Sequence, residues 1–360
     1  MIRCAKCIMP KNYPGISFDA EGVCNFCRKK RHMDYKGEEA LKHSILEAGR
    51  NSSNLRYDCL VGFSGGRDSS YLLYLIKKVL KLRALAVTVD NGYLPTETKE
   101  NISTIADRLQ VDLEIVKYDY LEKSFRSHLL AWLHHPTPAM INALCVGCRL
   151  GIKEGLYKSA KKHNIPVIIS GGTPFEGNHF KTNLLRTDPL KKTKKALVFG
   201  YCKQLISNYK WITNPKSFIL QMKEANAIYN QGAAKKLKKS GIRVIYPYQD
   251  FIHWQEMNII NTLETELKWK RNANTKSTWR GDCDIALIKL YLYKKLLGFN
   301  DKDDSLSDLI RDGQLTREEA LSRLEEEQYI SESVIKNILD QNNIDYNSFN
   351  KVLQQVEQKK

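Results

Sequence analysis

The stretch that most constrains this chain lies at residues 57–75, where an apolar run leads into a turn of small polar residues and then into helically spaced apolar residues. The run is Cys59, Leu60 and Val61, and the turn over residues 64–69 reads Ser-Gly-Gly-Arg-Asp-Ser. The pattern predicts a buried strand, a sharp turn and the beginning of a helix. Glycines allow a close backbone approach and unpaired N–H groups favour negative charge, so the turn is suited to a phosphate. Small Gly/Ser turns also join ordinary strand–helix units, but two hydroxyls, an arginine and an aspartate together favour the phosphate interpretation.

The turn lacks the spacing of a Walker A motif and instead resembles the S-G-G-x-D-S loop of the PP-loop ATP pyrophosphatases. That resemblance implies cleavage of ATP between its α and β phosphates, with a substrate oxygen adenylated on the way. It also implies that Asp68 holds Mg²⁺ and that Arg67 offsets developing negative charge. The implied pyrophosphate clamp consists of Ser64, Gly65, Gly66 and Ser69. The candidate catalytic residues are therefore Ser64, Arg67, Asp68 and Ser69.

Strands alternate with helices after this loop, which predicts a doubly wound parallel α/β sheet with right-handed crossovers. Three predicted strands end in polar or glycine-rich turns at residues 64–69, 90–92 and 170–173. Because ligands bind beyond the carboxyl ends of parallel strands, we expect these turns to converge on one pocket. An ordinary turn remains an alternative for residues 90–92. Besides the loop, the candidate nucleotide-binding residues are Ser70, Asp90, Gly171, Gly172 and Thr173.

Two C-x2-C pairs near the N-terminus have the spacing of a structural zinc site. Four thiolates in tetrahedral geometry would close the coordination shell of Zn²⁺ and leave no position for chemistry. The alternative is a set of reactive redox pairs. The predicted zinc ligands are Cys4, Cys7, Cys24 and Cys27.

A third C-x-x-C pair, Cys145 and Cys148, lies before a predicted helix whose N-terminus would lower thiol pKa values. Some tRNA-thiolating PP-loop enzymes hold an iron–sulfur cluster with such a pair and a distant third cysteine. By that resemblance Cys283 is a possible third ligand, and Cys202 is another. Metal or cluster binding, buried structural cysteines and catalytic sulfur transfer all stay open.

The formal net charge of +17 favours acidic partners without identifying them. A tRNA, an acidic protein, an anionic sugar or a solvated lysine-rich face would each account for it. Neither an apolar leader nor an apolar run of about 18 residues occurs, so we predict a cytoplasmic protein with no membrane contact and with reduced or metal-bound cysteines. The basic cluster falls between residues 181 and 243 and includes Lys191, Lys192, Lys194, Lys195, Lys235, Lys236, Lys238 and Lys239.

At 360 residues the chain is long enough for several modules. We predict a zinc ribbon at residues 1–30, a linker helix at 31–56, a PP-loop ATP-binding α/β domain at 57–205, a basic helical insertion that completes the substrate-facing side of the core at 206–300, and acidic C-terminal helices at 301–360.

The order of these motifs, together with the Trp-Arg-Gly-Asp-Cys segment at residues 279–283, resembles the N-acetyl sugar amidotransferases of bacterial surface-polysaccharide (O-antigen) and nonulosonic-acid (pseudaminic-acid type) biosynthesis. That family implies an ATP-dependent, AMP-forming carbon–nitrogen ligase that converts an acetamido group into an acetamidino group. The implied cofactors are ATP, Mg²⁺ and Zn²⁺, with a possible iron–sulfur cluster. The implied substrate is an anionic N-acetyl sugar, and a separate glutaminase subunit would supply ammonia, since no glutaminase region is visible in the chain.

Two other functions remain open from the sequence. A PP-loop tRNA thiolase with an iron–sulfur cluster fits the charge, the ribbon and the third cysteine pair, and it predicts salt-sensitive tRNA binding. A non-catalytic ATP-sensing scaffold would bind nucleotide without forming AMP. Outside the thiolase alternative, we expect no nucleic-acid partner.

Overall fold

The computed structural model describes residues 1–29, 33–50, 55–176, 179–186, 193–230 and 240–358. Its strands are β1 Cys59–Gly62, β2 Ala84–Asp90, β3 Asp112–Lys117, β4 Val167–Ile169 and β5 Arg243–Ile245. The helices of the described chain are α1 Asn25–Arg28, α2 Glu38–Gly49, α3 Arg67–Tyr74, α4 Thr96–Leu109, α5 Tyr120–His134, α6 Val146–Lys162, α7 His179–Leu185, α8 Lys194–Ser207, α9 Pro215–Asn230, α10 Pro247–Asp250, α11 Glu256–Glu266, α12 Asp284–Leu297, α13 Asp301–Asp312, α14 Arg317–Glu327, α15 Glu332–Gln341 and α16 Tyr346–Glu357. A π-helical turn, Leu75–Val79, continues α3, and two 3₁₀ segments cover Pro138–Cys145 and Tyr209–Trp211.

The strands form one sheet in the order β3-β2-β1-β4-β5, with every neighbouring pair parallel. The chain runs outward from β1 to β3 on one side and returns beside β1 as β4, so the winding direction reverses between β1 and β4. Clefts at such a switch point are the usual ligand sites of open α/β sheets. This topology confirms the predicted doubly wound parallel sheet.

Both faces of the sheet are covered by helices. The side chains of β1 show this, because they point alternately to the two faces. Cys59 and Val61 point into a core that includes α3 and α4, whereas Leu60 points into a second core with Ala160 of α6. Strands buried on both faces read as unbroken apolar runs, which is why this segment lacks a polar alternation. The arrangement leaves the carboxyl ends of the strands as the open edge.

The segment that the sequence suggested as a linker is part of the core. Helix α2 covers only Glu38–Gly49 of residues 31–56, and its Leu41 and Ile45 pack with Cys59 of β1. Apolar residues at this spacing bury one face of a helix, so α2 does not act as a spacer.

The cysteine ribbon docks onto the C-terminal helices. Arg3 forms an ion pair with Asp303 at 2.7 Å, and the Tyr13 hydroxyl donates to Asp304 Oδ2 at 2.7 Å. Asn12 Nδ2 donates to the Leu297 carbonyl at 2.7 Å. The acidic start of α13 therefore binds the ribbon, so these helices are more than a solvent-facing appendage.

Residues 243–251 have the apolar and aromatic character of a strand, but the strand ends at Ile245. Pro247 has no N–H for a ladder bond, and its fixed φ suits the first turn of a helix. The chain accordingly changes from β5 to α10 at Pro247–Asp250. In the described part of the chain, we find no helix with the length and apolarity to cross a membrane.

Candidate active site

The Ser-Gly-Gly-Arg-Asp-Ser loop joins β1 to α3 at the switch point of the sheet. Ser69 Oγ accepts the Ser64 N–H at 3.1 Å and lies 3.0 Å from Ser64 Oγ, while the Gly66 N–H donates to Ser64 Oγ at 3.3 Å. Within the described chain, no side chain caps the first turn of α3. Its N–H groups and the helix dipole can therefore act on an anion held by the loop.

Both glycines of the loop are packed too closely for a side chain. A Cβ at Gly65, whose φ is +76°, would lie 2.7 Å from Ile102 Cγ1 and 2.8 Å from the Thr98 carbonyl of α4. A Cβ at Gly66 would lie 2.9 Å from Asp282 Oδ2. The glycines thus let α4 and the 279–283 segment approach the loop, a use that adds to the anion cradle expected from the sequence.

Arg67 and Asp68 have different surroundings. Arg67 is 2% exposed, and its guanidinium packs against the neighbouring rings of Trp254 and Trp279, at 4.6 and 4.4 Å from their centroids. Asp68 keeps its carboxylate at the edge of the cavity, where it accepts from Arg67 Nε at 2.9 Å. The guanidinium is thus engaged by protein groups, and the role implied by the resemblance, offsetting developing negative charge, stays a prediction.

A cavity of about 1700 Å³ opens beyond the strand ends. The loop residues 64–69 line it together with the turn Ser170, Gly171 and Gly172, so two of the three predicted strand ends meet there. Pockets for one small molecule commonly enclose about 300–1,000 Å³. This cavity is large enough for a nucleotide and a second substrate.

Acidic groups border the loop side of the cavity. Asp282 and Glu176 both line it, and the pKa of Glu176 is raised by burial and by the neighbouring carboxylates Asp68 and Asp282, against the opposing effect of Arg280. Sequence reasoning missed Glu176, although it follows the 170–173 turn by a few residues. Arg280 and Asp282 belong to the segment that was expected to face the substrate, and both line the cavity.

Basic groups of α6 and α9 also line the cavity. They are Arg149 and Lys153 of α6 and Lys216 and Lys223 of α9. Arg149 is oriented by Glu224, whose Oε1 accepts from Nη2 at 2.8 Å. The lysines among them are suited to an anionic second ligand.

Residues far along the chain hold the loop in place. Trp269 Nε1 donates to the Gly65 carbonyl at 3.0 Å, and Asn101 of α4 exchanges two hydrogen bonds with the backbone of Lys270, both at 2.8 Å. No local sequence signal pointed to these contacts. They show that the region after residue 264 contributes directly to the loop.

Three predicted nucleotide-binding residues are not among the described residues that line the cavity. Ser70 is fully buried, and Thr173 Oγ1 accepts the Phe175 N–H at 3.3 Å within its own turn. Asp90 accepts the Gly92 N–H at 2.9 Å and pairs with Lys117 at 3.0 Å. Although burial alone would raise the Asp90 pKa, these two contacts lower it. Their assignment stays a prediction.

The N-terminal cysteines form a compact cluster. The sulfurs of Cys4, Cys7, Cys24 and Cys27 all lie within 4.8 Å of one another, and the Cys7–Cys24 separation is 3.7 Å. Zn–S bonds of about 2.3 Å place tetrahedral sulfurs about 3.8 Å apart. The donor set and spacing therefore fit Zn²⁺, with Cys4 Sγ also accepting the Cys24 N–H at 3.2 Å.

The second cysteine set is arranged differently. Cys145 Sγ lies 3.0 Å from Lys289 Nζ and 3.2 Å from Arg149 Nη1. Asn91 Nδ2 points to Cys283 Sγ at 3.3 Å and to Cys148 Sγ at 3.8 Å. Among the described residues, only the N-terminal cysteines form a group of three or more ligands within 4.8 Å, so the second set is not arranged for a single metal ion.

The basic cluster is only partly described. Lys194 and Lys195 lie on exposed positions of α8. The other lysines of the predicted cluster lie outside the described residues: Lys191, Lys192, Lys235, Lys236, Lys238 and Lys239.

Comparisons with known proteins give one family and three individual similarities. Residues 264–360 match the model described as "LPS biosynthesis protein WbpG-like, C-terminal domain". The uncharacterized protein MJ1599 of Methanocaldococcus jannaschii is 25% identical over 322 residues, which cover 89% of this chain and 85% of that protein.

Two solved structures were also found at low similarity. An NH3-dependent NAD synthetase from Campylobacter jejuni, in complex with the nitrate ion, is 16% identical and has a TM-score of 0.30, covering 56% of this chain and 90% of that chain. An NMN synthetase from Francisella tularensis is 15% identical and has a TM-score of 0.29, covering 67% of this chain and 100% of that chain. These TM-scores are too low to support the fold, which is defined by the sheet order and the loop alone.

The family match has a structural meaning, because the matched region supplies Trp269, Trp279 and Asp282 to the loop and α13 to the ribbon. Residues 264–360 are thus similar to the C-terminal domain of WbpG-like LPS biosynthesis proteins, in agreement with the surface-polysaccharide family that the motifs of the chain resemble.

Proposed function

We propose that this protein is an ATP-dependent, AMP-forming amidotransferase that converts the acetamido group of an anionic sugar into an acetamidino group, in cytoplasmic surface-polysaccharide or nonulosonic-acid biosynthesis. The observation that carries the proposal is the loop at the switch point of the sheet, which opens onto a cavity with room for two ligands. The WbpG-like C-terminal domain supports a role in surface-sugar chemistry.

The chemistry requires activation, because an amide carbonyl is a poor electrophile and its oxygen a poor leaving group. ATP supplies this activation by adenylating the amide oxygen. On the protein side, Ser64, Ser69 and the first N–H groups of α3 would hold the pyrophosphate, and Asp68 would hold Mg²⁺. These groups act where negative charge develops and are fixed before the reaction begins.

Basic side chains of α6 and α9 would orient the sugar. Lys153 and Lys223 line the cavity, so a carboxylate or phosphate of the sugar would bind there and direct the acetamido group toward the loop.

Ammonia would come from a separate glutaminase subunit. Exposed apolar side chains on and after α8 include Phe199 at 65%, Ile206 at 74% and Tyr209 at 54% exposure, and Ile219 of α9 is also exposed and lines the cavity. Lysines are interspersed along this surface, and the sequence has no acidic residue between Asp188 and Glu224. An acidic subunit docked there would deliver ammonia to the cavity. The chain alone should use ammonium but not glutamine, and glutamine-dependent turnover by the chain alone would contradict this.

The reaction is tested by incubating the protein with ATP, Mg²⁺, ammonium and an acetamido sugar acid. We expect AMP and a sugar whose mass falls by the difference between an oxygen atom and an NH group. A tRNA thiolase would form AMP only after tRNA is added, and a scaffold would form none.

Asp68→Ala should lower AMP formation by about a hundredfold or more, because the carboxylate that would hold Mg²⁺ at the reacting phosphate is lost. Asp107→Ala, at an exposed position on α4, is the matched control and should keep full activity. AMP formation at the normal rate by folded Asp68→Ala would contradict the assignment of the loop.

A further inference from the structure

Most N–H donors of Arg67 are used inside the protein. Nε and Nη2 donate to the two oxygens of the Asp68 carboxylate at 2.9 and 3.3 Å. Nη1 donates to Glu256 Oε1 at 2.8 Å and to Thr278 Oγ1 at 2.7 Å. Four of the five N–H donors of the guanidinium are therefore directed to protein groups rather than to a bound phosphate.

Two neighbouring indoles contact that guanidinium. It lies 4.6 Å from the Trp254 ring centroid and 4.4 Å from that of Trp279, and the two centroids are 5.1 Å apart, so adjacent rings pack against the cation. Trp254 Nε1 also donates to Asp68 Oδ1 at 2.8 Å. The Asp68 carboxylate is therefore oriented from one side by both an arginine and a tryptophan, while its other side remains at the cavity.

Glu256 joins this assembly to the C-terminal helices. Its carboxylate is buried and also accepts from Arg323 Nη1 of α14 at 2.7 Å. Burial alone would raise the pKa of Glu256, but Arg67 and Arg323 bring it below its usual value. Arg323 is in turn fixed by Glu327 at 2.9 Å. A continuous set of charge-assisted hydrogen bonds thus runs from α14 to Asp68.

We propose that Arg67 is a positioning residue that orients Asp68 for Mg²⁺ rather than a ligand of the transferring phosphate, and that Glu256 and Arg323 hold it in this role. The inference rests on the proposed function, in which Asp68 binds the metal of Mg·ATP. It assigns a role in the ATP site to the WbpG-like C-terminal domain, which contributes Thr278, Trp279 and Arg323.

Lysine cannot replace Arg67 in this arrangement. A single ammonium cannot bind both Asp68 oxygens in a planar geometry while also reaching Glu256 and Thr278. Arg67→Lys should therefore keep the charge and lose the orientation of Asp68, whereas an arginine that only balanced phosphate charge would tolerate the change.

The experiment measures Mg²⁺-dependent binding of α,β-methylene-ATP by titration calorimetry in the full chain. The variants are Arg67→Lys, Glu256→Gln and Arg323→Gln. Glu264→Gln is the matched control, since Glu264 lies on the same helix as Glu256 but pairs with Arg271 at the surface. Arg323 is partly exposed, so its variant should fold even if the change at buried Glu256 prevents folding.

We expect each of the three variants to raise the half-saturating Mg²⁺ concentration about tenfold, as is typical when a group that orients a metal ligand is removed. Nucleotide affinity measured in EDTA should change by less than about twofold. A variant that had lost structure in general would instead lose nucleotide affinity both with and without Mg²⁺. Unchanged Mg²⁺ dependence in folded Arg323→Gln and Arg67→Lys would overturn the inference alone. A wild-type protein without Mg²⁺-dependent nucleotide binding would overturn both the inference and the proposed function.

Discussion

The two cysteine sets begin with the same C-x-x-C spacing but have opposite surroundings. In the ribbon, four sulfurs face one another within 4.8 Å, and backbone N–H groups point at Cys4 Sγ. In the second set, Cys145 is bordered by Lys289 and Arg149, and Cys148 and Cys283 meet only through Asn91.

The two environments differ in which positive charge would neutralise each thiolate. A bound Zn²⁺ would neutralise the ribbon sulfurs, whereas fixed side-chain cations already compensate Cys145. The motif gives two cysteines that are close in sequence, but the neighbours that the rest of the fold supplies decide whether these cysteines share a metal ion.

The largest effect should come from Cys24→Ser. We expect loss of the bound zinc and a fall in the free energy of unfolding on the order of 5 kcal/mol or more, because metal binding contributes to folding. Metal analysis and urea unfolding check this. The same change at Cys145 should leave metal content unaltered, although it removes the thiolate beside Lys289 and should cost some stability. Loss of metal from Cys145→Ser would remove the distinction between the two sets.

The second prediction concerns alkylation of Cys145. Burial alone would raise the pKa of its thiol, but Lys289 and Arg149 lower it to about 6. Since the thiolate is the reactive form, labelling by iodoacetamide should rise through about pH 6 and already be near its plateau at neutral pH. Lys289→Met should slow labelling at pH 6 about tenfold by moving the pKa upward.

Mass spectrometry of the labelled peptide provides the measurement, with Cys59 as the internal control, since burial raises its thiol pKa and it should stay unmodified. Labelling of Cys145 that begins only well above pH 8 would contradict the thiolate assignment. Iron-dependent protection of Cys145 in anaerobically purified protein would instead favour the cluster interpretation.

The smallest effect should come from Arg311→Gln. Arg311 Nη1 lies 3.5 Å from Cys7 Sγ, and the residue pairs with Asp308 at 2.8 Å, so it is a fixed cation of the ribbon site. Its loss should cost about 1–2 kcal/mol and make zinc easier to remove with a chelator. Arg271→Gln, in an exposed ion pair, should cost less than about 0.5 kcal/mol. Equal chelator resistance in both variants would show that Arg311 does not act on the ribbon.

Local sequence patterns predicted those parts of the site that are formed by residues close together in the chain. The strand, loop and helix around residues 64–69 follow from an apolar run, two glycines and the spacing that comes after them. The ribbon ligands follow from paired knuckles. The turns at 64–69 and 170–173 meet because the carboxyl ends of parallel strands lie at the same edge of the sheet.

The remainder depends on contacts between distant parts of the chain, for which one sequence gives no signal. Glu256 is 189 residues from its partner Arg67, and Trp254 binds Asp68 across 186 residues. From the sequence alone, an arginine in a phosphate-binding loop is interpreted as a phosphate ligand. The two indoles and the carboxylate around it are visible only in the structure. The docking of the ribbon on α13 was missed for the same reason.

The contact between Arg3 and Asp303 spans 300 residues, which has a consequence for synthesis of the chain. At about 5–20 residues per second, roughly 15–60 s separate the emergence of the two partners from the ribosome. During that interval the ribbon lacks the helix that covers it, but its four cysteines, which are close in sequence, can already bind a metal ion. Zinc supply during translation would therefore set how much of the nascent chain reaches the final docking step.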